Sequence, residues 1–270
     1  MDQRKENNKG LLVVSFGTSY AAARARTLES VENTLRDAFP DRRFYRAWTS
    51  PMLRRKLQRE EDIVIYSVDE ALLQMEEDGV TDVLVQPTHM LAGEELQKTE
   101  ETLAASAGRF ASLAVGRPLL ADEDDIASLA GILEEKYRTD DDELLVFMGH
   151  GSAAMSVPVY ERMEERFRKD GYPNVCIGTV EYEPGIDNVL SRIREVKPAR
   201  VHLVPLLVTA GEHVLRDMAG DGPDSWKNQI AEEGCEPVCH LSGLGDLEEV
   251  RRIYTDHAAR ALETAAEVFG

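Results

Sequence analysis

The sequence predicts an α/β protein of two similar halves, each folded around a parallel sheet, with a cleft between them. Three observations carry this prediction. Short apolar runs alternate with amphipathic helical patterns along all 270 residues, the signature of βαβ units. The runs are continuously apolar, as expected of strands covered on both faces. The second half also repeats the first. At about 150 residues per domain the length allows one large or two small domains, and the halves are placed at 1–125 and 126–270, with the C-terminal helix able to pack back on the first.

The elements follow in order. A strand is expected at Leu11–Phe16, then a helix with Leu28, Val31, Leu35 and Phe39 on one face, closed by Pro40. Strands follow at Arg43–Trp48, Asp82–Pro87 and Ser112–Val115, and a Ser67/Glu70 capping box opens a helix ahead of Leu72 and Met75. In the second half the strands are Leu144–Met148, Val175–Val180, Val201–Pro205 and a weaker one around Pro237–Leu241. Val159, Met163 and Phe167 repeat at helical spacing, and Leu247, Val250 and Tyr254 open a long C-terminal helix. These stripes read as core. The acidic runs Asp122–Asp125 and Asp140–Glu143 fall at helix starts and loops, where solvent or a helix dipole accommodates them.

Leu12–Ser19 aligns with Val146–Ala153 when Gly17 is set on Gly151, an offset of 134. Phe44–Pro51 meets Ile177–Pro184 at an offset of 133, and Val85–Glu95 meets Leu203–His213 at 118. Three strand ends therefore recur in the same order, with the second half shortened before its third block. Ligands of open α/β sheets sit beyond the carboxyl ends of the strands. A cleft collecting six such ends suits a large planar ligand.

Fifty acidic against 31 basic residues give a net charge of −19, which argues against a nucleic-acid partner. No stretch approaches the apolar length that crosses a bilayer, and Met1–Lys9 has no apolar core of a signal peptide, so a cytoplasmic protein is expected. Three cysteines are too few for a disulfide framework. Cys235, Cys239 and His240 lack a second ligand pair and read as a strand with small buried thiols.

The repeat also serves as an internal control. Phe16 is matched by His150, Trp48 by Glu181 and Glu95 by His213. Each change puts a metal ligand or proton acceptor at a strand end of the second half, and two imidazoles with a carboxylate leave coordination positions open. Glu183 rivals Glu181, since on a strand both would face one side. His202 and His257 read as structural, while His89 is ambiguous. Thr18, Ser19, Thr88, His89 and Ser152 are candidate hydrogen-bond donors at the rim, and Phe16, Gly17, Trp48, Glu95 and Gly151 complete the candidate ligand-binding set.

At these residues the chain resembles the class II tetrapyrrole chelatases, specifically the anaerobic sirohydrochlorin cobaltochelatases. The resemblance rests on Ser15-Phe16-Gly17-Thr18-Ser19, Met148-Gly149-His150-Gly151, Gly178-Thr179-Val180-Glu181-Tyr182, Ala210 through Met218, Asp224-Ser225-Trp226-Lys227 and Leu241 through Gly245. It implies two Rossmann-like halves with the macrocycle between them. It also implies cobalt held by His150, Glu181 and His213, with His150 taking a pyrrole proton, and it favours Glu181 over Glu183. The expected activity is insertion of Co2+ into sirohydrochlorin for anaerobic cobalamin synthesis. The alternatives are Fe2+ insertion toward sirohaem, or a carrier of metal or tetrapyrrole without catalysis.

No G-x-x-x-x-G-K-[ST] phosphate loop is present, so no ATP or other nucleotide is expected. A homo-oligomer is left open. An acidic protein taking a polycarboxylate needs local donors such as Arg46, Arg54, Arg55 and helix N-termini, with both acidic runs away from His150.

Overall fold

The structure is a computed structural model that describes residues 8–140, 142–152 and 156–269. Met1–Asn7, Asp141 and Ala153, named above, lie outside the described residues. In chain order the first elements are β1 (Lys9–Ser15), α1 (Ala21–Arg26), α2 (Leu28–Ala38), β2 (Arg43–Trp48), α3 (Pro51–Glu61), α4 (Val68–Glu77), β3 (Asp82–Pro87), α5 (Glu94–Ser106) and β4 (Ser112–Val115). There follow α6 (Glu123–Lys136), β5 (Glu143–Gly149), α7 (Ser156–Lys169), β6 (Val175–Thr179), α8 (Ile186–Val196), β7 (Arg200–Leu206), α9 (Trp226–Glu232), β8 (Glu236–Cys239) and α10 (Glu248–Phe269).

The chain divides into two compact units, Met1–Ala121 with Glu248–Gly270, and Asp122–Leu247. The division falls just before the sequence-based boundary because Asp122 caps α6, its carboxylate accepting from the Asp124 and Asp125 N–H groups while Asp125 closes a capping box. In the first unit the parallel strands run β2-β1-β3-β4, and in the second β6-β5-β7-β8. The two orders are equivalent, as the internal repeat requires. The shortening in the second half also has a structural cause: α3 and α4 join β2 to β3, whereas α8 alone joins β6 to β7.

Local chemistry sets the helix boundaries. Ser50 caps α3 with Pro51 in its first turn, and the Ser67/Glu70 box opens α4. Helix α1 has no counterpart in the sequence reading, since Ala21–Arg26 carries no apolar stripe. Both faces of the central strands are covered. Leu12, Val14, Val83 and Val85 pack with Leu72 and Met75 in the first unit, and Val146, Met148 and Leu203 pack with Val189, Ile193 and Trp226 in the second. Helix α10 packs on α2, β3 and β4; its buried Tyr254 donates to the Thr88 carbonyl at 2.9 Å, and Arg251 donates to Thr34 at 3.1 Å.

Candidate metal centre

In the order β6-β5-β7-β8 the chain leaves β5 to one side for β6 and returns to the other for β7, so the second unit has its topological switch point between β5 and β7. His150 follows β5 directly, Glu181 follows β6, and His213 opens the helical turn after β7. Among the described residues these three form the group of His, Cys, Asp or Glu whose ligand atoms converge, all within 4.8 Å of one another. The imidazoles meet edge to face with centroids 5.1 Å apart.

The backbone explains the convergence. Gly151 adopts φ +90°, and a Cβ there would meet the Thr179 and Tyr182 side chains at 2.9 and 3.1 Å, so only glycine lets the β5 and β6 loops close together. The Glu181 N–H donates to the His150 carbonyl at 3.1 Å, and Val180 N–H to Gly149 at 3.0 Å. The Thr179 N–H donates to the Pro184 carbonyl at 2.7 Å and the Thr179 hydroxyl to the Tyr182 carbonyl. Strand β6 therefore ends at Thr179, and the sequence argument that Glu181 and Glu183 share a strand face does not apply. Glu183 turns away and accepts from the Gly185 N–H at 2.9 Å, at the start of α8.

Each imidazole has one nitrogen engaged. His150 Nδ1 lies 3.0 Å from the Gly151 carbonyl, and His213 Nδ1 lies 2.7 Å from Asp217 Oδ2. A carbonyl and a carboxylate both accept, so Nδ1 carries the proton in each ring and Nε2 keeps a lone pair for a metal. His150 and Glu181 are exposed and His213 is half-buried. Two nitrogens and a carboxylate oxygen at a surface hold a divalent first-row ion while leaving room for a second ligand. Asp217 was missed by the sequence reading, although its place four residues after His213 was a usable signal.

The remaining candidates divide by exposure. Phe16 is 48% exposed beyond β1, while Ser19, His89, Glu95, Gly151 and Ser152 are partly exposed. Thr18 and Thr88 are buried, which corrects their expected place at a rim, and Trp48 of the candidate ligand-binding set is buried as well. Thr18 accepts from the Tyr20 N–H at 3.3 Å, Thr88 donates to Ser15 Oγ at 2.8 Å, and Trp48 packs beneath Gly17, whose φ of +105° brings it onto the indole. They hold the strand ends in place. Arg46 and Arg54 are likewise corrected as spare donors, since Arg46 is paired with buried Glu32 and Arg54 with Glu70 at 3.0 Å, leaving Arg55 exposed. Glu143 opens β5 at the end opposite His150. Cys235, Cys239 and His240 join no metal-binding group among the described residues; His240 stacks on His202 at 5.4 Å, and burial raises both thiols.

His89 carries a consequence for acid stability. Although the residue as a whole is partly exposed, both ring nitrogens are buried without a partner among the described residues, and burial lowers the pKa to about 4 against an opposing effect of Glu95. Its folded pKa therefore lies below the unfolded value near 6.5, so the unfolded chain takes up this proton first. Stability is full above about pH 6.5 and falls as pH drops toward about 4, at up to about 1.4 kcal/mol per pH unit from this group. Urea unfolding of wild type and His89→Gln across that range is expected to show a shallower decline in the variant. Parallel curves would refute the buried neutral imidazole.

Two parallel sheets with an open His/His/Glu cluster at one switch point present the donor set of a divalent-metal site. The fold is shared with SirB from Bacillus subtilis, solved with Fe3+ (TM-score 0.65, 16% identity, 97% of each chain), and with CbiX, described as the terminal enzyme of sirohaem biosynthesis in denitrifying bacteria (0.56, 16%, 94% of this chain and 99% of that one). The model of the cobalt chelatase (CbiK) family matches residues 9–263, and the chain belongs to that family. It is 34% identical over 260 residues to the sirohydrochlorin cobaltochelatase of Salmonella typhimurium, covering 96% of this chain and 98% of the relative. It is 31% identical over 262 residues to the sirohydrochlorin cobaltochelatase CbiKC of Nitratidesulfovibrio vulgaris, covering 94% and 90%.

Proposed function

We propose that the protein inserts Co2+ into sirohydrochlorin in the cytoplasm without ATP, through His150, Glu181 and His213. The observation that carries this reading is the convergence of those three side chains within 4.8 Å at a switch point, in a chain whose near-full-length relatives are named sirohydrochlorin cobaltochelatases. The reaction exchanges two pyrrole N–H protons for one Co2+, so the protein must present a metal it can release and a base that can take a proton. Glu181 and the two Nε2 atoms hold the ion with positions open to pyrrole nitrogens. As those nitrogens replace the protein ligands, the freed Nε2 of exposed His150 takes a proton and passes it to water; the second proton also ends in water. Gly151 and Ser152, beside His150, are proposed to contact the macrocycle, and Phe16, Ser19, His89 and Glu95 are the first unit's candidates for that role.

The test is the absorbance of sirohydrochlorin mixed with Co2+ and catalytic enzyme, without nucleotide. Conversion of many macrocycles per enzyme molecule is expected. Stoichiometric uptake of metal and macrocycle without product would overturn the reading in favour of a carrier, and a parallel Fe2+ arm measures metal preference.

A further inference from the structure

We infer that Asp217 is the positioning residue of the metal centre, fixing His213 as the anchoring ligand and leaving His150 as the exchangeable one. The inference rests on the three-ligand reading above. Residues His213–Met218 wind as a π-helical turn, with the Ala219 N–H reaching the Val214 carbonyl at 3.0 Å. Such turns insert one extra residue per cycle and are common at functional sites. Val214 and Met218 are fully buried and pin the turn to the core, while His213 and Asp217 stand together on its half-buried side, joined by the 2.7 Å contact. Among the described residues the Asp217 carboxylate has this single hydrogen-bond partner.

The two imidazoles therefore differ in what holds them. Behind His150 is a neutral backbone carbonyl; behind His213 is a full negative charge. A carboxylate on Nδ1–H fixes the ring plane and tautomer and increases electron density at Nε2, which strengthens the bond to a cation. His150, exposed and more weakly backed, is the ligand that yields first to an incoming pyrrole nitrogen. An orderly transfer needs this inequality: one ligand must keep the ion in register while another lets go.

The experiment is equilibrium titration of the full chain with Co2+ alone, read by the visible absorption of the bound ion. Asp217→Ala is expected to weaken Co2+ binding 10- to 100-fold and to alter the visible band. Circular dichroism should be unchanged, because the side chain reaches the surface. Asp217→Asn retains an acceptor oxygen and is expected to recover part of the affinity and the band. A wild-type dissociation constant and spectrum in Asp217→Ala, with His213→Ala impaired, would overturn the positioning role while leaving the three-ligand centre intact. Undiminished binding in His213→Ala would instead overturn the centre itself.

Discussion

Replacing His150 by alanine is expected to slow cobalt insertion by roughly 10²- to 10⁴-fold, the range over which a positioned acid or base contributes. The side chain is exposed and follows the end of β5, and among the described residues it touches only the neighbouring Gly151 carbonyl and the edge of the His213 ring. Its removal should leave circular dichroism and melting unchanged. His213→Ala should show the reverse emphasis, losing most Co2+ binding as well as rate, because its imidazole is braced by Asp217. The rate is followed by the absorbance change of sirohydrochlorin with Co2+. Wild-type rates in either variant would mean that the chemistry lies elsewhere.

Phe147→Ala should be the most damaging change to the fold. This side chain is fully buried on β5, the strand flanked by both β6 and β7. It stacks on Phe167 of α7 at 5.5 Å and meets Tyr137 edge-on at 6.5 Å. Deleting such a ring costs about 3–5 kcal/mol of stability, combining lost burial with an unfilled cavity. Melting of the second unit should fall by roughly 10 °C, read by calorimetry. An unshifted trace would mean that β5 is not the keystone of that core. His150, three residues after Phe147 and just past the end of β5, should become less ordered in parallel.

Much of this arrangement was legible because its causes are local. Arg43–Trp48, Asp82–Pro87 and Ser112–Val115 form strands with the expected limits, since continuous apolar runs bounded by polar turns have few alternatives. The Ser67/Glu70 box closes as its spacing demands. The repeat pointed to the three converging residues because a duplicated fold makes unequal partners visible. What stayed hidden depends on side-chain direction after a strand ends. Trp48 and Thr88 stand at strand ends yet face inward, and in sheet register Trp48 answers to Thr179 rather than to Glu181, whose counterpart is Ser50. Glu183 differs from Glu181 only through the turn closed by Thr179 and Pro184. Arg46 looks available until Glu32, fourteen residues earlier, reaches it.

The return of α10 to the first unit sets the order in which a nascent chain can finish folding. Residues 122–247 leave the ribosome complete, with β5 through β8 and their helices in hand. The face of β3 and β4 on which α10 packs must wait until Tyr254 and Arg251 arrive to bind Thr88 and Thr34. The later-synthesised unit is thus the first that can close, contrary to the usual amino-terminal-first sequence. The half that carries His150, Glu181 and His213 can close before the half that α10 completes.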